Sequence, residues 1–345
     1  MTSYLDNFDP ITIDWGSFSM ETQNQSDLCF PELANISCRK SPGPVVFYLV
    51  PLLSISILTV VLNLLVITAI SHFRQLHTPT NLLLLSLAVT DYLVGLQLIP
   101  MAVRRATSCW SLGDRLCSLF VYYVLTVTST SVGNIVLISV DRYVAICDPL
   151  HYNIRVTVKR VQLCVCLCWF SSLSYSGVIY YDQLMQPGKY HSCYGECVIV
   201  FDFTTGVVDL VVSFLFPLCS VVMLYTKVFV VAVSQARAMR LHAPRGKLKH
   251  SPPFRVKKSE LKAARSLGVL VVVFLLCFCP YYGVFLARDS LRNHTLQVCV
   301  IYLYYFNSCV NPLIYALFYP WFRRAIKHIV TLRILQPGSC KLNVL

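Results

Sequence analysis

Seven long apolar runs, at roughly 44–71, 79–105, 114–147, 158–181, 200–235, 259–287 and 296–318, decide what this chain is able to fold into. The hydrocarbon core of a bilayer is about 30 Å thick, so a helix of about 20 apolar residues crosses it. Each run reaches that length. Apolar runs this long have no place in a water-soluble core. They predict an all-α membrane protein, a seven-transmembrane helix bundle.

Charge sets the orientation. Asp6, Asp9, Asp14, Glu21, Asp27 and Glu32 lie in the first 43 residues, against Arg39 and Lys40. The connection between the fifth and sixth runs carries Arg237, Arg240, Arg245, Lys247, Lys249, Arg255, Lys257 and Lys258. Basic loops stay in the cytoplasm, so the amino terminus is expected outside. An odd number of spans then leaves Arg323, Arg324 and Lys327 inside, in agreement. The net charge of +13 is therefore a matter of topology and membrane lipid, and no nucleic-acid partner is expected. No cleavable signal peptide is visible, so the first span is expected to direct insertion. After Pro320, Trp321–Leu335 alternates apolar and basic residues, the pattern of a short amphipathic helix on the inner surface. The expected parts are an extracellular tail (1–43), the bundle (44–319) and a cytoplasmic helix and tail (320–345). Asn24-Gln-Ser and Asn35-Ile-Ser are glycosylation sequons on that outer tail.

Within the bundle the third run is the most polar. Thr126, Thr128, Ser129, Thr130, Ser131 and Asn134 are too frequent for a lipid-facing helix and suit one packed among others. Asp91 is an ionisable group in mid-span, which normally has a partner or a function. Pro280 removes a backbone donor from the sixth run and predicts a kink. Asp209 lies inside the fifth run, eight residues before Pro217. Most of the sixteen cysteines sit in apolar runs and read as small core residues.

Asn63, Asp91, Asp141-Arg142-Tyr143, Trp169, Pro217, Pro280 and Asn311-Pro-Leu-Ile-Tyr315 fall one per run, in order. Together they resemble the rhodopsin-like G-protein-coupled receptors across residues 44–330. The stretch Asn307-Ser-Cys-Val-Asn311-Pro-Leu-Ile-Tyr315-Ala-Leu-Phe-Tyr319-Pro-Trp321-Phe322 is similar to the fingerprint of the trace amine-associated receptors. That resemblance implies a chemosensory (olfactory) receptor for an amine or diamine. It would couple to a stimulatory G protein and cyclic AMP, in the plasma membrane of olfactory sensory neurons, with no enzymatic activity.

The resemblance also implies roles. Asp91, Ser131, Asn307, Ser308 and Asn311 would close around a sodium ion. Asp141, Arg142, Tyr143, Glu260 and Tyr315 would form the G-protein switch, with Glu260 facing Arg142 at rest. The sixth helix would swing about Pro280. Phe278 stands where most members carry tryptophan, and so lacks the indole N–H. Cys117 would bond Cys197, and Cys193 would bond the tail at Cys38 in preference to Cys29. Most amine receptors place the ligand's counter-ion seven residues after the first of these cysteines. Here that residue is Val124. Some members, notably in fishes, carry the acid where Asp209 stands. Asp209 is therefore the expected anchor, with Asp202 for a second ammonium. Val124, Thr128, Tyr281, Tyr282, Phe285 and Tyr305 would form the other walls. The alternative is a receptor-like protein that has lost amine recognition and answers another small ligand or signals basally.

Overall fold

The computed structural model describes residues 11–13, 45–107, 110–191, 197, 199–241, 258–287, 294–342 and 344, with side chains for most of these. Seven long helices form the bundle. They are α1 (Val45–His72), α2 (Pro79–Thr107), α3 (Asp114–Cys147), α4 (Val158–Ile179), α5, α6 (Lys258–Ala287) and α7 (His294–Phe318). Helix α5 runs as α-helix over Phe203–Asp209, as π-helix over Leu210–Leu215 and as α-helix again over Phe216–Leu241. An eighth, α8 (Pro320–Val330), follows α7 directly. Six of the seven are long and apolar enough to span a membrane, and the apolar part of α6 is Gly268–Val284. The seven-helix expectation is met, with helix limits within a few residues of the apolar runs.

Polarity is distributed inside out. Leu163, Leu167, Phe170 and Val178 of α4, and Val212, Phe216, Met223 and Phe229 of α5, are exposed. Asn63, Thr90, Asp91, Asn134, Asn307 and Asn311 are buried. Lipid tails solvate apolar surface as well as leucine does, so buried polar contacts and close backbone approach hold such a bundle together. Asn63 Nδ2 bonds the Ser308 carbonyl at 3.0 Å and ties α1 to α7. Ser86 Oγ donates to Asn134 Oδ1 at 2.9 Å and accepts from Trp169 Nε1 at 3.2 Å, joining α2, α3 and α4. At Gly95 a Cβ would meet Val60 Cγ2 at 2.8 Å, and at Gly133 it would meet Cys168 Sγ at 2.5 Å. Glycine lets α1 approach α2, and α4 approach α3, at those points. Helix α3 packs against α2, α4, α5 and α6 and is the axis of the fold.

Helix α8 starts at Pro320, where a fixed φ suits the first helical position. It buries Trp321, Phe322 and Ala325, while Arg323 Nη1 donates to the Ala316 and Leu317 carbonyls at the end of α7, at 2.8 and 3.1 Å.

On the outer face, β1 (Ile11–Ile13) and β2 (Ile199–Phe201) pair antiparallel, with Thr12 opposite Val200. Cys197, two residues before β2, is disulfide-bonded to Cys117 at the top of α3, with a Cα–Cα distance of 5.7 Å. Trp110, Val121, Tyr180, Ile199 and Phe201 pack around this bond as a separate apolar cluster. Cys29, Cys38, Cys193, Asn24 and Asn35 lie outside the described residues.

Candidate functional site

Beneath this lid lie two adjoining cavities that share Val124 and Ile199 as walls. The inner one is bounded by α3, α5, α6, α7 and β2. Asp209, Thr128, Tyr281, Tyr282 and Tyr304 line it, together with Val124. The outer one lies among α2, α3, α7 and the lid, and Tyr305 belongs to it.

Asp209 lies on α5 just before a change of helix type. Pro217 has no N–H for the carbonyl four residues back, and the turn just before it widens into a π-helix. Asp209 and Ser213, four residues apart, both line the inner cavity. Ser213 Oγ donates to Asp209 Oδ1 at 2.8 Å, and Tyr175 OH of α4 donates to the same oxygen at 2.9 Å. Neither bond uses Oδ2. The carboxylate is part-buried and belongs to a residue of the cavity wall. Tyr175 and Ser213 are contributors the sequence did not single out, since a tyrosine or serine in an apolar run is unremarkable.

Val124 is 5% exposed and offers a ligand only methyl groups. The aromatic walls form a connected set. Tyr304 donates to Thr128 Oγ1 at 3.3 Å and its ring lies 4.9 Å from that of Tyr281. Phe214 stacks on Tyr282 at 4.0 Å. Tyr304 also meets Phe278 at 4.7 Å, and Phe278 meets Phe274 at 4.4 Å, so ring contacts run from the cavity down α6. Phe285 belongs to α6, but its side chain lies outside the described residues.

Asp202 is not among the residues lining the inner cavity. It is the N-cap of α5: its carboxylate accepts from Thr205 N at 3.1 Å and from the Thr205 hydroxyl, and the residue is exposed. The Thr205 side chain, foremost, with nearby backbone N–H groups, holds its carboxyl below the usual range. The helix start needs this acid, because the first N–H groups of a helix have no partner within it.

Deeper in the bundle Asp91 is fully buried. Asn311 Nδ2 donates to its Oδ2 at 2.7 Å, while Oδ1 has no hydrogen-bond partner. The hydroxyls of Ser131 and Ser308 lie near enough to act on the carboxylate, but neither closes a bond to Oδ1. Asn307 is buried one residue before Ser308. An unpartnered buried carboxylate oxygen with neutral oxygens around it fits a small hard cation.

At the inner end Arg142 pairs with Asp141, through Nε at 2.9 Å and through Nη2, and also donates to Thr80. Thr80 Oγ1 and Tyr152 OH hold the Asp141 oxygens at 3.0 and 2.8 Å. Burial, with the Asp141 charge second, pushes the Tyr152 phenol up to about 12, so it remains a donor. Thr80 and Tyr152 had no signal in the sequence. Glu260 lies in the first turn of α6, and its side chain is outside the described residues. Tyr143 has Lys227 Nζ 5.9 Å from its ring centre. Tyr315 is buried, edge-on to Tyr319 at 6.1 Å and Phe322 at 6.4 Å.

Seven spanning helices, an outer disulfide lid over a cavity, and an acid–arginine pair at the inner end define a membrane receptor rather than a transporter or an enzyme. Residues 62–315 match the model of the seven-transmembrane receptors of the rhodopsin family. Among curated proteins, trace amine-associated receptor 13c of Danio rerio is 36% identical, over 94% of this chain and 98% of its own. Receptor 7f of Mus musculus is 35% identical, over 96% and 98%. Receptor 6 of Homo sapiens is 36% identical, over 92% and 95%. The chain belongs to the trace amine-associated receptors, within the rhodopsin-like G-protein-coupled receptors. It is a multi-pass membrane protein that takes a small-molecule ligand and a G-protein partner.

Proposed function

We propose that this receptor detects an amine through Asp209, with the ammonium directed toward α5 rather than α3. The observation that carries the reading is an aspartate in the cavity wall with one carboxylate oxygen, Oδ1, held by both Tyr175 and Ser213. An ammonium loses its hydration on entering, and a charge-assisted hydrogen bond to a fixed carboxylate offsets that cost. The tyrosine faces around it suit a cation. The names of the relatives agree with an amine ligand. Coupling to a stimulatory G protein, and residence in the plasma membrane of olfactory neurons with the amino terminus outside, are part of this reading. So is a sodium ion held by Asp91 Oδ1 with Ser131, Asn307, Ser308 and Asn311. Bound there, the ion would supply the positive partner that Oδ1 lacks and favour the resting arrangement.

A second reading has one observation in its favour. Tyr175 and Ser213 already satisfy one Asp209 oxygen, as they would for a purely structural acid in a receptor that no longer answers amines. The two readings separate on Asp209→Asn, assayed for cyclic AMP against a panel of mono- and diamines at matched surface expression. Stranding a buried charge costs about 3 kcal/mol or more, so potency should fall at least about a hundredfold. Equal potency in parent and variant selects the second reading.

A further inference from the structure

Beyond α8 the chain folds back onto the connection between α1 and α2. The backbone reverses at Leu332, whose φ of 57° is left-handed. Helices often end on such a residue, usually a glycine, and the conformation is strained for a leucine. Leu332 is exposed, so burial of its own side chain does not offset the strain. The segment after it is firmly placed. Ser339 opens a 3-10 turn, Ser339–Lys341, which packs on another, Arg74–Leu76, between α1 and α2. The Ser339 hydroxyl is buried and donates to the Ile334 carbonyl at 2.6 Å, which leaves its oxygen to accept from His72 Nε2 at 2.9 Å. Val344 N donates to Gln75 Oε1 at 3.3 Å. Val344, Phe73 and Leu76 are fully buried and belong to one apolar cluster.

This connection is bonded onward to the inner end of α3. The Leu76 carbonyl accepts from Asn81 Nδ2 at 2.9 Å, and Asn81 is buried in the first turn of α2. Its neighbour Thr80 donates through Oγ1 to Asp141 Oδ2 at 3.0 Å, and Asp141 holds Arg142. We propose that the segment from Ser339 to Val344 is a strap that restrains the Asp141–Arg142 switch from within the same chain. Docked, it braces the α1–α2 connection, fixes the first turn of α2 and keeps Thr80 on Asp141. Released, it relieves Leu332, loosens the connection and takes a hydroxyl from the acid–arginine pair. A buried valine and a few hydrogen bonds hold the strap while the strain opposes it, so its opening belongs with the low-stability motions of the fold. Docked and released are two discrete arrangements, as coupling between separated sites requires. The inference rests on the reading of Asp141 and Arg142 as the G-protein switch.

The test uses purified full-length receptor in vesicles with a heterotrimeric G protein of the stimulatory class and no ligand. Val344→Asp puts a charge into an apolar socket and should expel the strap. A chain ended after Gly338 removes the strap and decides the matter if Val344→Asp does not fold. Each should raise ligand-independent nucleotide exchange by about fivefold, as the loss of one hydrogen bond allows. Each should also speed amide hydrogen exchange across residues 76–82, a readout that needs no G protein. Val344→Ile should behave as the parent. Because the strap acts through Thr80, Val344→Asp should add nothing to Thr80→Ala in a double-mutant cycle. A gain of activity is not a product of misfolding. Multiplying effects in the cycle, or strap variants with parental nucleotide and amide exchange, overturn the inference. If Thr80→Ala then still raises nucleotide exchange, the switch reading survives. If it does not, the switch reading fails and the strap falls with it.

Discussion

Two aspartates on one helix have opposite fates, and the difference is local. Asp209 takes two hydroxyl donors on Oδ1 and lies in the cavity wall. Asp202 has the N–H of Thr205 in front of it and solvent around it. Substituting an N-cap aspartate with alanine costs about 1 kcal/mol in typical helices. Asp202→Ala should therefore lower the thermal stability of the purified receptor modestly, and leave the ratio of diamine to monoamine potency where it was. A selective loss of diamine response would return Asp202 to the ligand. The sequence made Asp209 conspicuous because a carboxylate inside an apolar run is expensive and rare. It left the place of Asp202 open, because residues seven apart share a helix face only where both are helical, and the helix begins one residue after Asp202. Tyr175 had no comparable signal. One tyrosine among 20 is identified as a carboxylate partner only once α4 and α5 are side by side.

The elements were legible to within two turns because a spanning helix writes its length into the chain as apolar residues. Their internal irregularities were not. The proline in α5 was visible, but the π-turn it accompanies is a choice among several ways of absorbing a missing N–H. The inner end of α3 illustrates the same limit. The Asp141–Arg142 pair is adjacent in sequence and readable. Its clamps, Thr80 at the start of α2 and Tyr152 in the turn after α3, are 61 and 11 residues from Asp141. These two hydroxyls hold the carboxylate that in turn holds Arg142. Removing them should release the arginine for a G-protein partner more often. Thr80→Ala and Tyr152→Phe are each expected to raise ligand-independent G-protein activation by a few-fold, since one neutral hydrogen bond contributes about 1 kcal/mol. Unchanged or reduced basal activity at equal surface expression would show that the clamp does not bias the switch.

Across the whole molecule, buried polar groups and rings lie at successive depths in the bundle: Tyr304 and Phe278 at the cavity, Asp91 with Asn311 deeper, and Arg142 with Asp141 at the far end. The Asp91 level tests the sodium reading. Resting-state affinity for an amine should shift with sodium concentration in the parent, and Asp91→Asn should abolish the shift. A variant that keeps the parent's sodium response places the ion elsewhere. Phe278, 5% exposed and in ring contact on both sides, keeps its packing without an N–H donor. The seven-helix fold came from the chain itself. The division of the binding space into two cavities did not, because it depends on which side chains of α2, α3 and α7 meet the lid.

The pairing of β1 with β2 has a kinetic consequence. Strand β2 supplies Ile199 and Phe201 to the cavity wall, while β1 contributes backbone hydrogen bonds to β2. A roof fastened in this way sets a barrier that a ligand crosses in both directions. Loosening the fastening lowers that barrier equally for arrival and departure and leaves the difference between the end states alone. Thr12→Pro, at the centre of the pairing, should thus speed association and dissociation of a labelled amine by similar factors at nearly constant Kd. The tail would then act as a timer, setting how long each ligand is retained rather than how many receptors are filled.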